Sequence, residues 1–232
     1  MTLIAVIPAR GGSKRIPKKN IRKFDNVPVI NFPISTCIDS GIFDEIVVTT
    51  DDYEIAEISK KLGATKVIMR SKELSDDFTP TVPVVADCIE KLNFSKVELE
   101  SLTVACVYPV NPFIEIESLK LAIQKLIDNP KISYVGPICT YPYPIQRRIS
   151  LSEGGKISMD NPELALTRSQ DLDEKFHDAG QWYIARAETW LNQEPLLFNS
   201  IGIQVPRWRV QDIDTVEDWI YAEKLYKISK LN

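Results

Sequence analysis

Residues 3–7 form an unbroken apolar, β-branched run that Pro8 closes. A strand buried on both faces reads this way. Apolar runs at 45–50, 66–69, 102–107 and 133–138 predict four more. Between them the apolar positions step at helical intervals. Residues 31–40 are one expected helix, with Gly41 placed to cap its end. Asp51-Asp52 precede a second, in which Ile55, Ile58 and Leu62 share a face and Gly63 lies past the end. Residues 81–92 predict a third, its start limited by Pro83. Ile116, Leu119, Ile123 and Leu126 mark a fourth, closed by Pro130. Alternating strands and helices with short links predict an α/β fold, a mainly parallel sheet with helices on both faces.

The rhythm breaks between about 140 and 175, where YPYP, QRR, EGG and DNP replace long apolar periods. This stretch reads as an inserted arm, since a linker is less aromatic and more repetitive. Regular order returns at 181–185 and 201–205 and in a last helix over 215–229, where Thr215 and Asp218 form a weak capping box. The expected division is a core of residues 1–139 and 181–232 around an insertion at 140–180. A length of 232 residues suits one sizeable core with a sub-domain.

Composition narrows the chemistry. Hydrophobic residues make up 44% of the chain, enough for a core, and the net charge of −4 argues against a nucleic-acid module. No apolar run approaches a membrane-spanning length, and MTLIAVIPARGG lacks the features of a signal peptide. Cys37, Cys88, Cys106 and Cys139 are scattered and His177 stands alone. Zinc is not expected, and the cysteines read as buried reduced thiols of a cytoplasmic protein. No GxSxG accompanies the histidine, so a serine hydrolase is not indicated. Trp182, Trp190, Trp208 and Trp219 read as packing residues.

The first strand leads into Ala9-Arg-Gly-Gly-Ser-Lys-Arg-Ile-Pro-Lys-Lys-Asn20. Ligands of open α/β sheets bind outside the carboxyl ends of strands. Gly11 and Gly12 let backbone N–H groups approach an anion, while Arg10, Lys14, Arg15, Lys18 and Lys19 supply positive charge. Such a loop inside an acidic protein suits a triphosphate or is simply a solvated basic loop. It is neither a P-loop nor a dinucleotide fingerprint. Asp212-Ile213-Asp214 offers two carboxylates on one side of an extended segment. They either hold Mg²⁺ or cap the last helix.

Residues 7–20, IPARGGSKRIPKKN, resemble the signature of the CMP-sialic-acid synthetase family of cytidylyltransferases. The likeness continues through Thr49-Thr50-Asp51, Arg70-Ser71, Ser75-Asp76-Asp77 and Gln211-Asp212-Ile213-Asp214-Thr215. Within the family the chain is most similar to the pseudaminic acid cytidylyltransferases. Tyr108-Pro109, Asn111-Pro112-Phe113, Tyr143-Pro144-Ile145-Gln146-Arg147, residues 167–172 and His177-Asp178-Ala179-Gly180-Gln181 carry that closer likeness. The neuraminate enzymes have a glutamine where Tyr108 stands and an arginine where Ile114 stands.

The resemblance implies a three-layer Rossmann-like nucleotidyltransferase fold and a reaction joining CTP to an acidic nine-carbon sugar. It implies nucleotide contacts at Ala9, Arg10, Gly11, Gly12, Ser13, Asn20, Arg70, Asp77 and Thr81. Lys19 would stabilise charge at the α-phosphate, with Arg10 and Asp214 also catalytic, and Asp212 and Asp214 would hold Mg²⁺. Sugar contacts would come from Tyr108, Gln146, Arg147, Arg168, Asp178, Gln181 and Tyr183. The insertion would be a dimerisation arm, making the protein a homodimer. His177 reads as a hydrogen-bonding residue. Competing expectations are another acid sugar (legionaminic acid, neuraminate or Kdo), a sugar-1-phosphate nucleotidyltransferase, and a non-catalytic nucleotide-sensing module.

Overall fold

The computed structural model describes residues 1–230. The chain runs β1 (Thr2–Pro8), the short pair β2 (Lys23–Phe24) and β3 (Val27–Pro28), α1 (Asn31–Ser40), β4 (Glu45–Thr50), α2 (Tyr53–Lys61), β5 (Lys66–Met69), α3 (Thr81–Lys91), α4 (Lys96–Ser101) and β6 (Leu102–Val107). It continues with α5 (Ile116–Asp128), β7 (Tyr134–Thr140), β8 (Ile149–Leu151), β9 (Ile157–Met159), β10 (Phe176–Asp178), β11 (Trp182–Arg186), α6 (Ala187–Leu191), β12 (Ser200–Gln204) and α7 (Val216–Ser229).

The central sheet follows the order β10-β7-β11-β6-β1-β4-β5, with β12 paired in parallel to β7. Strand β1 lies parallel to β4 on one side and β6 on the other. That reversal of strand order opens a crevice at the carboxyl end of β1, where open α/β sheets bind ligands. Strands β10 and β11 run antiparallel to β7. The chain leaves and re-enters the sheet at the same end of β7, so the returning strands must oppose it. Periodicity alone does not encode that reversal.

Alternation along the strands builds three layers. Ala5, Ile7, Ile46, Val48, Ala105 and Val107 face a core completed by Ile34 and Cys37 of α1, Ile55 of α2 and Leu119, Ala122 and Leu126 of α5. Ile4, Val6, Val47, Val104 and Cys106 face the other side, against Val82, Val85, Cys88 and Ile89 of α3 and Trp190 of α6. Three helix predictions find clear capping causes. Gly41 takes φ 64° after α1. Asp52 accepts hydrogen bonds from the backbone N–H groups of Glu54 and Ile55 at the start of α2. Thr215 and Asp218 form a complete capping box on α7.

A smaller core decides where the loop after β1 sits. Ile16, Phe24 and Val29 pack with Phe113, Ile213, Trp219 and Ala222. Phe24 meets the Trp219 ring edge-on with centroids 5.6 Å apart. The N-terminal loop is thereby fastened to α7 and to the segment before it. Trp182, Trp190 and Trp219 are buried, as packing residues should be, whereas Trp208 is 45% exposed beneath the Arg209 guanidinium.

Within 140–180, β8 and β9 form an antiparallel hairpin of their own. Its Ile149, Leu151 and Ile157 are exposed. The end of the stretch, β10, rejoins the central sheet through its pairing with residues 138–140.

Candidate active site

The loop after β1 is held by backbone geometry before any charge is considered. The Ala9 N–H donates to the Thr49 carbonyl at 2.9 Å, extending the pairing of β1 with β4. The Gly11 N–H donates to Asp51 Oδ1 at 2.8 Å. A Cβ on Gly11 would lie 2.8 Å from Asp52 Oδ2, so this backbone passes only as glycine. Gly12 has no neighbour within 4 Å of such a Cβ. The Ser13 N–H turns back to the Gly11 carbonyl at 2.9 Å. Asn20 is buried and its Nδ2 donates to the Arg10 carbonyl at 2.8 Å, closing the loop on itself.

Four of the five loop cations converge on a cavity of about 1110 Å³ at the carboxyl ends of β1 and β6. Arg10 Nη1 donates to Asp77 Oδ1 at 2.6 Å and to the Asp76 carbonyl at 2.9 Å. Lys14 pairs with the other oxygen of Asp77. Arg15 Nη2 lies 2.9 Å from Asp214 Oδ1. Lys19 Nζ donates to the Ile213 carbonyl at 2.8 Å and lies 3.3 Å from Asp214 Oδ1. Lys18 points elsewhere, to Glu54 at 2.5 Å. Two carboxylates thus hold four cations in place. The same groups can turn to a multivalent anion, since guanidinium and ammonium donors bind phosphate strongly.

Arg70 forms part of the wall near the base of the cavity. It is nearly buried, and its Nη2 donates to the Thr49 carbonyl at 2.8 Å. Burial lowers its pKa from the ordinary arginine value, and its Nε has no partner among the described residues. The Thr81 and Tyr108 hydroxyls share a hydrogen bond of 2.7 Å across the cavity floor. Burial is the largest cause raising the Tyr108 phenol, so it stays protonated at neutral pH. Asp178 also borders the cavity. Its Oδ1 accepts from the Gly180 N–H at 2.8 Å and its Oδ2 from the Tyr183 hydroxyl. Tyr183 and Gln181 do not line the cavity. Tyr183 is buried in β11 behind Asp178, and Gln181 Nε2 donates to the Arg209 carbonyl at 2.7 Å.

The Asp212 and Asp214 pair enters the cavity beside Lys19. Burial, followed by the nearby Asp214 charge, pushes the Asp212 carboxyl above its usual range. Asp214 also receives Arg15 and Lys19, so it is not merely the helix cap. That task falls to Thr215 and Asp218. No cluster of three or more His, Cys, Asp or Glu suited to a metal occurs among the described residues. Two adjacent carboxylates nevertheless match Mg²⁺, which commonly takes one or two of them together with phosphate oxygens.

The arm residues stand apart. Gln146 donates to the Asp173 carbonyl at 2.7 Å and belongs to a separate hollow of about 250 Å³ among residues 141–146 and 169–175. Arg147 is exposed, and Arg168 forms a two-pronged pair with Asp171 at 2.8 and 3.2 Å. None of the three lines the main cavity of its own chain. Conversely, Asp76, Val110 and Val210 help build or line the site without having been assigned a role from the sequence, and Asp51, read with Asp52 as a helix cap, instead accepts from the Gly11 N–H. Asp51 stood in Thr49-Thr50-Asp51, but Asp51-Asp52 as a pair already had a capping explanation, and only the structure shows that Asp52 alone is the cap. The two valines carry no chemical signal.

Comparisons with known proteins identify the family. A cytidylyltransferase family model matches residues 4–218. A pseudaminic acid cytidylyltransferase of Campylobacter jejuni is 39% identical over 231 residues, covering 99% of this chain and 98% of that protein. A CMP-N,N'-diacetyllegionaminic acid synthase of Legionella pneumophila is 31% identical, with 99% and 98% covered. The solved structure of a CMP:2-keto-3-deoxy-manno-octonic acid synthetase complexed with CTP superposes with a TM-score of 0.72. It is 16% identical and covers 99% of this chain and 100% of that one, a likeness of fold. With a glycine-bearing basic loop at the switch point of its sheet and a family match across nearly all its length, this chain belongs to the cytidylyltransferase family of nucleotidyltransferases.

Proposed function

We propose that the protein activates pseudaminic acid with CTP, giving CMP-pseudaminic acid and pyrophosphate in a Mg²⁺-dependent reaction. The observation that carries this is the meeting of Arg10, Lys14, Arg15 and Lys19 with Asp212 and Asp214 around one large cavity, in a chain 39% identical to pseudaminic acid cytidylyltransferases. The sugar's anomeric oxygen attacks the α-phosphorus. A new P–O bond forms, the bond to the leaving pyrophosphate breaks, and the hydroxyl proton passes to a carboxylate of the 212–214 pair. Catalysis is mainly positioning and charge neutralisation. Gly12 offers a backbone donor toward the triphosphate, the Gly11 and Ser13 N–H groups hold the loop's shape through Asp51 and the Gly11 carbonyl, and Arg10 and Lys14 balance the outer charges. Lys19 meets the charge that grows at the α-phosphate. Asn20 holds the loop in shape through the Arg10 carbonyl. Arg70 and Thr81 supply fixed donors for the cytidine portion. Asp212 and Asp214 would hold Mg²⁺, which when bound would supply positive charge to the phosphates and lower the pKa of the attacking hydroxyl.

Asp178 and Tyr108 face the sugar. Gln146, Arg147 and Arg168 serve a second subunit's cavity through the arm, in a homodimer joined across the exposed β8–β9 hairpin. The test is pyrophosphate release with CTP and Mg²⁺ against pseudaminic, legionaminic, neuraminic and Kdo acids. Selective turnover of pseudaminic acid is expected. Preference for another acid overturns the sugar assignment, and no release with any of them leaves a binding module. Undiminished turnover by Asp212→Asn and Asp214→Asn, or in chelator, refutes the metal assignment. A monomer by light scattering refutes the dimer.

A further inference from the structure

Asp76 and Asp77 are neighbours on one exposed loop, yet their carboxylates have different tasks. Asp76 Oδ1 serves the loop itself. It accepts from the Phe78 N–H at 3.0 Å, the Thr79 N–H at 2.7 Å and the Thr79 hydroxyl at 2.6 Å. The Asp77 carboxylate has no such partner among the described residues. One oxygen takes Arg10 at 2.6 Å and the other takes Lys14. Both cations line the cavity and belong to the glycine-bearing loop after β1.

We propose that Asp77 is an internal competitor for Arg10 and Lys14, and that it makes this site discriminate a polyphosphate from a ligand with a single phosphate. This rests on the assignment of those two cations to the nucleotide's phosphates. The carboxylate occupies the place where an anion's outer oxygens would sit. A triphosphate offers several charged oxygens at once and displaces it, because Arg binds phosphate bidentately and both cations gain a more highly charged partner. A nucleoside monophosphate lacks the outer phosphates that would draw both cations away. Once the α–β bond is cut, pyrophosphate loses its tether to cytidine, and Asp77 regains both cations and speeds its departure. Lys14, then Arg10, hold the Asp77 carboxyl below its usual range, so it stays a charged competitor at neutral pH. A direct nucleotide ligand would behave oppositely, since its removal weakens binding.

The experiment measures pyrophosphate, CTP and CMP binding to the full chain by calorimetry in chelator. The variants are Asp77→Asn and Asp77→Glu. The Asn variant is expected to bind pyrophosphate and CTP roughly two- to thirty-fold more tightly, the span that loss of two exposed ion pairs allows. CMP affinity should stay within about two-fold, and the Glu variant should restore wild-type values. The Asn variant should also show a steeper loss of affinity with salt, because one more uncompensated cation meets the ligand. Unchanged or weaker pyrophosphate binding by D77N, with the wild type binding, overturns the competitor role alone. No pyrophosphate binding by the wild type overturns the phosphate-site reading and the competitor role together.

Discussion

Lys19 is the sharpest place to test the proposed chemistry. Its ammonium donates to the Ile213 carbonyl at 2.8 Å, approaches Asp214 at 3.3 Å and is 23% exposed. Lys19→Met keeps most of the aliphatic stem and deletes the charge. In the folded ground state this loses the charge-assisted hydrogen bond to Ile213, worth about 1.5–3 kcal/mol when well shielded and less at this exposure, and the longer, weaker ion pair with Asp214. Arg15 remains at Asp214, so the carboxylate is not stranded. At about 1 kcal/mol lost, a domain of this size melts roughly 2–4 °C lower. Loss of a contact to charge growing at the α-phosphate is larger, about 2.7–4 kcal/mol, or 10²–10³ in kcat. Pyrophosphate release at saturating CTP and sugar, measured well below the melting transition, separates the two. A fall of about 10² or more with a small change in Tm is expected. Lys19→Arg should recover part of the rate, since it keeps charge but changes donor geometry. A Lys19→Met enzyme within about five-fold of wild-type kcat refutes the reasoning, because no oxyanion-type contact is that small.

Gly11→Ala should disturb both the Gly11–Asp51 contact and the Asp52 cap, costing nucleotide affinity and about 1 kcal/mol of stability in denaturant titrations. Gly12→Ala, with open space around it, should leave the unfolding midpoint in place and weaken only CTP binding. Thr215→Ala removes one half of the α7 capping box and should cost about 1 kcal/mol, read by the same titration, with the Asp214 N–H still bonded to Asp218. All four cysteines are free and buried, and burial pushes the Cys37 and Cys88 thiols up to about 12 and raises that of Cys106 as well. A thiol reagent at pH 8 should therefore leave the native chain unlabelled and find four groups after unfolding. In the unfolded chain these thiols ionise near their ordinary values while the native ones stay protonated. The unfolded state then binds fewer protons, and stability falls as pH rises from about 9 toward 12, by about 1.4 kcal/mol per pH unit for each such thiol. Flat stability across that window in urea unfolding refutes the burial argument.

Much of this protein was legible in local pattern. The apolar run at 3–7 specified a strand covered on both faces, and the structure divides its alternate residues between two cores. Gly41, Asp52 and Thr215 marked helix boundaries because capping is satisfied within a few residues. The basic, glycine-bearing stretch was legible for the same reason, since its composition is itself the chemical signal.

Other features depend on contacts between distant residues, and no local period encodes them. Lys19 meets Asp214 across 195 positions because Ile16 and Ile213 bury in one small core. The sequence offered Asp214 two roles, metal ligand or cap. Packing decided that Thr215 and Asp218 cap α7, while Asp214 faces Arg15 and Lys19. The aspartate pairs were ambiguous for a similar reason. Asp52 caps its own helix while Asp51 reaches back to Gly11, and Asp76 shapes its own loop while Asp77 reaches Arg10 and Lys14. The antiparallel return of β10 and β11 was set by where the excursion re-enters the sheet, which also turns Asp178 toward the cavity and leaves Tyr183 behind it. Sequence determined the elements and the chemistry of single stretches, because those depend on neighbours along the chain. Tertiary structure decided which charges face each other, because burial of apolar side chains chooses which distant segments meet, and the polar groups beside them follow.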